Sequence, residues 1–368
     1  MQVLGIDLGT TNTATAIDSH VFAISSDGKA SLPSVVAFPP NGHTQTGEPA
    51  RRRRAIDSEN TIYSSKRIIG RRWSDSDTQS FRRLYPFRLV EDAEGMPVFE
   101  TRSGAYSATQ VAGILLSVVR ERARSIPGEF EVNVTVPAAF NRAQRTATAD
   151  AAVLAGLRRA RLIEESMATA YAYLSLPRSI RRAVVYDFGG GTFDCSVVDC
   201  SDGTPHLIAD AGDSFLGGDD IDQLLGAWVV QHVLEKHEWD LSNYSEVYDR
   251  LLAHCENAKI LLSHQQEAVV HLSQVDPECP ADEDGVIVTR CILEELCRDL
   301  VQRTFVTCDA VLHEAGVRPR DIDAVFLAGG TTHLPIIQRG VESYFGRPGL
   351  LEFEPMEVVA LGASLVKR

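Results

Sequence analysis

The feature that most constrains this chain is a strand, turn, strand unit written twice. Residues 2–6 and 13–17 are short apolar runs either side of Asp7-Leu8-Gly9-Thr10-Thr11-Asn12. Residues 183–186 and 193–198 repeat that plan around Asp187-Phe188-Gly189-Gly190-Gly191-Thr192. Short β-type runs joined by small and polar residues read as hairpins. Two unrelated hairpins would not be expected to carry a matching aspartate and threonine at both tips, so the repeat predicts two homologous α/β lobes around a shared cleft. A length of 368 residues with 44% hydrophobic content is enough to bury two such cores.

Both turns suit a triphosphate. Such a ligand needs backbone N–H groups that approach its oxygens, hydroxyls to supplement them and carboxylates for a metal's water shell. Gly9, Thr10, Thr11 and Asn12 can line one side, and Gly189, Gly190, Gly191 and Thr192 the other. Asp7, Asp187 and Asp194 would then face one another, which is unfavourable for three anions unless a cation lies between them. No G-x-x-x-x-G-K-[ST] loop occurs, which argues against a P-loop ATPase. A third apolar run, residues 324–327, leads into Ala328-Gly329-Gly330-Thr331-Thr332, where paired glycines let a ligand, here a nucleoside, approach the backbone.

The remaining features are mostly exclusions. A formal charge of −14 disfavours nucleic acid and anionic membrane as partners. Residues 1–17 lack a basic n-region, so they are not read as a signal peptide, and no run reaches transmembrane length. Seven cysteines show no C-x-x-C pair and no histidine spacing for a metal, which predicts reduced structural thiols in a cytoplasmic protein. The basic run 51–54 reads as a solvated helix face. Asn141 is expected to cap a helix over 143–155 that Gly156 stops. Ile221, Leu224, Leu225, Trp228, Val229 and Val233 form a core stripe, as do Ile292, Leu293, Leu296 and Leu300. The turn-rich segments 240–245 and 277–284 mark 223–290 as a semi-independent subdomain.

Several segments together resemble the nucleotide domain of DnaK-type, 70-kilodalton heat-shock chaperones. They are Gly5-Ile6-Asp7-Leu8-Gly9-Thr10-Thr11-Asn12, Val134-Thr135-Val136-Pro137-Ala138, Phe140-Asn141, the second turn through Asp194, Leu216-Gly217-Gly218-Asp219-Asp220 and Gly329-Gly330, in that order. The resemblance runs from Val3 to about Leu365 and implies an actin-like, ribonuclease-H-like duplicated ATPase fold with four subdomains. It implies a first lobe over 1–178 with an insertion at about 37–107, and a second over 179–368 with one at about 223–290. The implied ligands are ATP or ADP with Mg2+, and K+ as a further candidate ion.

The same resemblance implies site roles. Lys66 would meet the γ-phosphate and the attacking water, Asp7 and Asp194 the metal, and Glu165 a position near it. Asp187 and Thr192 would position the water. Gly217 and Gly218 belong to the nucleotide set. Glu256, Lys259 and Ser263 would form one nucleoside-binding face of a helix, with Gly329, Gly330 and His333 opposite; the simpler reading of Glu256 and Lys259 is a solvated ion pair. A J-domain co-chaperone and a nucleotide-exchange factor are the implied protein partners, and a stress response the implied setting.

The chain departs from the family at particular places. His333 stands where an arginine is usual and Met356 where an aspartate is usual. Glu164-Glu165-Ser166-Met167 replaces Asn-Glu-Pro-Thr, while Pro137, Arg145 and Arg161 match residues tied to interdomain signalling. The sequence stops at Arg368, where the family continues into a linker and a peptide-binding domain, so no client groove is expected in it. These departures admit a second reading, a nucleotide-sensing scaffold with little turnover. A small-molecule kinase and a filament-forming actin relative fit less well, for want of a second substrate pocket and because 223–263 reads as the chaperone subdomain.

Overall fold

The computed structural model describes residues 2–25, 28–280 and 285–367. It is a mixed α/β fold of the actin-like type. Strand β1 (Gln2–Leu8) pairs antiparallel with β2 (Asn12–Ile17) and parallel with β3 (Phe130–Val136), which continues parallel into β4 (Arg161–Glu164). The short strands His20–Val21 and Ser31–Pro33 extend the other edge. In the second half, β5 (Arg182–Phe188) pairs antiparallel with β6 (Phe193–Asp199) and parallel with β8 (Ala324–Ala328), and β7 (His206–Asp213) adds to β6. Each sheet therefore has a hairpin with a parallel strand on the far side of its first strand.

The register also shows where the copies diverge. Asp7 lies opposite Ala14 in the first hairpin, and Asp187 lies opposite Asp194 at the matching place in the second. One half thus supplies two carboxylates where the other supplies one.

Strands β1 and β5 are nearly continuous apolar runs because both of their faces are covered. Leu4, Ile6, Phe38, Phe81, Phe99 and Val134 belong to one core, and Val184, Tyr186, Phe188, Phe193, Val325 and Leu327 to a second. Each such fully buried side chain contributes about 1.5–3 kcal/mol of apolar burial. A third cluster joins the halves through two helices rich in small residues, α2 (Glu165–Leu174) and α5 (Val358–Leu365). Their backbones nearly touch: a Cβ on Gly362 would lie 1.7 Å from the Ala168 carbonyl oxygen, and one on Gly5 2.3 Å from that of Ala360. Helix α5 thereby ties the end of the chain to its first strand.

The expected capped helix is present as α1 (Arg142–Leu154), where Asn141 and Gln144 exchange side-chain and backbone hydrogen bonds and Gly156 follows at φ 81°. Helices α3 (Gly218–His237) and α4 (Ser245–Leu262) pack against each other beside the cleft. In the α3 stripe Leu224 turns outward, since the apolar face is narrower than its sequence spacing suggests. Of the turn-rich segment 277–284, residues 281–284 lie outside the described residues. Among the described residues no helix is long and apolar enough to cross a membrane, and none of the seven cysteines is in a disulfide, with Cys291 exposed.

Candidate nucleotide site

The tips of the two hairpins meet. A Cβ on Gly190 would lie 1.9 Å from Thr11 Oγ1, so the second turn has room for the first only because position 190 has no side chain. The turns are further fixed from behind. Ser34 Oγ donates to the Gly9 carbonyl at 2.8 Å, Thr331 Oγ1 to the Gly189 carbonyl at 2.8 Å, and the Asp219 N–H to the Gly190 carbonyl at 2.6 Å. The Gly189 N–H closes the second turn on the Thr192 carbonyl at 3.0 Å, and with the other carbonyls engaged outward the N–H groups of Thr10, Thr11, Gly190 and Gly191 are available to an anion in the cleft.

A cavity of about 200 Å³ opens at this junction. Asp7, Gly9, Thr10, Thr11, Asn12, Lys66, Glu165, Asp187, Gly189, Gly190 and Thr192 line one end, and Glu256, Lys259, Ser263, Gly329, Gly330 and His333 the other. Gly191, Gly217, Gly218 and Asp194 do not line it. The glycines serve packing behind the wall: a Cβ on Gly191 would lie 2.4 Å from Thr10 Cγ2, one on Gly217 2.3 Å from the Gly190 carbonyl oxygen, and one on Gly218 2.8 Å from Lys259 Nζ.

The end lined by the hairpin tips is crowded with carboxylates. Lys66 sits in the 3-10 turn Ser65–Ile68, its ammonium 2.6 Å from Glu165 Oε1 at the start of α2, with both side chains largely buried. Thr135 Oγ1 donates to Asp7 Oδ1 at 2.9 Å. Burial, reinforced by Glu165 and opposed by Lys66, pushes Asp7 and Asp194 each up to about 7. Asp187 is pushed well above the ordinary carboxylate range by burial and by Glu165, Asp194 and Asp7. Lys66 stays protonated although burial opposes its charge, because Glu165 and Asp7 surround it. One ammonium cannot neutralise these carboxylates, a donor set that suits a hard divalent cation. Among the described residues no three His, Cys, Asp or Glu side chains converge tightly enough to hold a bare ion. A cation fitting here would be met through water and phosphate oxygens, as Mg2+ commonly is.

At the other end Glu256 and Lys259 do not pair with each other. Lys259 Nζ contacts Asp222 Oδ2 at 2.7 Å and the Gly218 carbonyl at 2.9 Å. Glu256 lies 3.6 Å from Arg54. This corrects the reading of 51–54 as a solvated face. The helix exists (Glu48–Arg53), but Arg54, the residue that caps it, turns inward. Its guanidinium stacks 3.8 Å over the Tyr63 ring, whose hydroxyl lies 3.2 Å from Asp249 Oδ1. A cation, an aromatic ring and two carboxylates thus clasp the first half of the chain to α4.

Sequence reasoning missed Ile260, His264, Leu334, Pro355 and Val359, which also line the cavity. Ile260 could have been found, since it follows Glu256 by four positions on the same helical face; Pro355 and Val359 arrive by tertiary packing alone. Met356, noted as a departure, packs where a Cβ on Gly330 would meet its Sδ at 3.3 Å. His333 Nε2 is 2.7 Å from Glu354 Oε1. Near the signalling positions, Arg145 bonds the carbonyls of Ala138 and Phe140 and the carboxylate of Glu164, and Arg161 bonds Asn133 and the Val366 carbonyl.

Residues 3–367 match the family model described as Hsp70 protein.

Proposed function

The chain belongs to the Hsp70 family, and on that premise we propose that it binds ATP and ADP with Mg2+ in the cavity between its hairpin tips and slowly hydrolyses ATP to ADP and phosphate, as the nucleotide-binding part of a molecular chaperone. The observation that carries this reading is the buried ammonium of Lys66, 2.6 Å from Glu165 at the end of the cavity where both glycine-rich turns converge.

Phosphoryl transfer to water asks a protein mainly for positioning and charge neutralisation. The N–H groups of Gly9 to Asn12 and Gly190 to Thr192 would bind the phosphate chain, with Gly189 closing the second turn. Lys66 would hold the γ-phosphate, with Glu165 fixing the direction of its ammonium. Asp187 and Thr192 would orient the attacking water, Asp187 being the acceptor for its proton. Bound Mg2+ would neutralise phosphate charge, held through its water shell by Asp7 and Asp194. Lys259 and Ser263, with Gly329, Gly330 and His333 opposite, would take the nucleoside.

The lobes divide at about residues 178 and 179 in this reading, with insertions at about 37–107 and 223–290, and nucleotide occupancy would open and close them. A J-domain co-chaperone and an exchange factor are the partners, and the cytoplasm the setting. Single-turnover hydrolysis of labelled ATP with Mg2+ tests the reading against Lys66→Ala and Thr192→Ala. Slow turnover in the wild type, lost in both variants while binding persists, supports it. Binding without turnover in the wild type replaces it with a nucleotide-sensing scaffold, and no binding at all removes the site.

A further inference from the structure

Lys66 sits between two tethers that cross from one half of the chain to the other. Ser64 Oγ donates to Asp219 Oδ2 at 2.8 Å, and Arg67 Nη2 to Asp220 Oδ2 at 3.1 Å. Ser64 stands immediately before the 3-10 turn Ser65–Ile68 that carries Lys66, and Arg67 is the next residue within it. Asp219 and Asp220 are neighbours in the first turn of α3. Ser64 is also held in the left-handed backbone region, at φ 52°. A serine keeps that conformation only where its surroundings impose it.

The far ends of the tethers hold the second hairpin turn. The Asp219 N–H donates to the Gly190 carbonyl at 2.6 Å. Asp220 Oδ2 accepts the Gly217 N–H at 2.7 Å, and Gly217 packs so closely on Gly190 that a Cβ there would lie 2.3 Å from the Gly190 carbonyl oxygen. Arg67 itself lies behind the next residue, since a Cβ on Gly191 would meet its Nε at 2.9 Å. The turn bearing Lys66 and the turn 189–192 are thus fastened to the same two aspartates. Ser64, Arg67, Asp219 and Asp220 line a second cavity of about 50 Å³, which shares Thr10, Thr11 and Asn12 with the larger one. None of the four lines the larger cavity, so whatever they do to a nucleotide there they do through Lys66 and the turn.

We propose that Asp219 and Asp220 are positioning residues for hydrolysis: by pinning the residues on either side of Lys66 to the second hairpin turn, they bring its ammonium to the γ-phosphate only when the two halves are closed. The inference rests on the ATPase reading above and adds to it the contacts that make turnover depend on closure. ADP has no γ-phosphate for Lys66 to meet, so a slack tether costs the reaction and spares ADP. Misplacing a reacting group by about 1 Å can cost about a hundredfold in rate.

The test measures single-turnover hydrolysis at saturating Mg-ATP, the dissociation constant of Mg-ADP and the melting temperature in the wild type, Asp220→Asn, Asp220→Glu and Ser64→Ala. Asn turns an amide towards the Arg67 guanidinium, whereas Glu keeps the charge and can still accept the backbone N–H three residues before it. Asp220→Asn and Ser64→Ala are each expected to slow hydrolysis at least about tenfold with ADP affinity within about threefold, and Asp220→Glu to restore the rate to within about threefold. An unchanged rate in either Asp220→Asn or Ser64→Ala, a loss of ADP affinity in step with the rate, or no rescue in Asp220→Glu overturns the inference and leaves the ATPase reading standing. A wild type that hydrolyses no ATP overturns the ATPase reading, and this inference with it.

Discussion

Lys66 Nζ lies 2.6 Å from Glu165 Oε1, an ion pair that joins the 3-10 turn Ser65–Ile68 to the first turn of α2 inside the cavity. Removing one partner of a buried pair leaves an uncompensated charge, which costs about 3–5 kcal/mol, whereas replacing both with apolar groups can be nearly neutral. Lys66→Met is therefore expected to destabilise the nucleotide-free protein by that amount, and Lys66→Met with Glu165→Met to recover most of it, without restoring hydrolysis. Denaturant titration of the two variants checks this, and a double variant as unstable as the single one contradicts it.

Gly190 has no room for a side chain because Thr11 occupies it. Gly190→Ala should push the two hairpin turns apart and weaken nucleotide binding at least about tenfold, a loss of about 1.4 kcal/mol. Adding Thr11→Gly should return part of the affinity. Calorimetric titration with ADP reads both, and unchanged affinity in Gly190→Ala would show that the turns do not hold the phosphates.

Arg54 spans the cleft between Tyr63 in the first half and Glu256 on α4. A desolvated cation–π contact such as Arg54 over Tyr63 is worth about 2 kcal/mol. Arg54→Met should therefore raise the ADP release rate about tenfold or more, measured by chasing a fluorescent nucleotide. The hydrolytic step itself should change little, because Arg54 does not line the cavity of about 200 Å³.

Burial pushes the Asp222 carboxyl up to about 7 against the pull of Lys259, while the same pairing keeps Lys259 protonated. The unfolded chain titrates this carboxyl near 3.8. Between those values the folded state binds a proton that the unfolded state does not, so stability falls as pH rises towards 7 and levels off above it. Asp222→Asn removes this slope. Melts from pH 5 to 8 should show the variant gaining on the wild type as pH rises, and parallel curves would refute the assignment.

Ser166 carries a buried hydroxyl with no hydrogen-bond partner among the described residues. Ser166→Ala is expected to stabilise the protein by about 1 kcal/mol, since an unsatisfied buried polar group costs about 1–3 kcal/mol. A lowered melting temperature would mean that the hydroxyl has a partner in solution.

Much of this was legible in the sequence because local chemistry dictated it. Glycines with a matched aspartate and threonine at two hairpin tips specify a close backbone approach that few other residues permit, and the structure brings Asp7, Thr11, Asp187 and Thr192 to one cavity. The cap of α1 could likewise be read from Asn141 alone, since its hydrogen bonds close within four residues. What could not be read were partners distant along the chain. Arg54 looked like one of four surface cations until folding set it over Tyr63 and beside Glu256, and Lys259 looked like a partner for Glu256 until α3 delivered Asp222. The sequence by itself determined the duplicated strands, the turns and the chemical types at the site, because spacing and backbone conformation are local. Only the tertiary structure decided which charges face each other and which side chains close the cavity, because burial and pairing depend on surfaces that packing alone brings together.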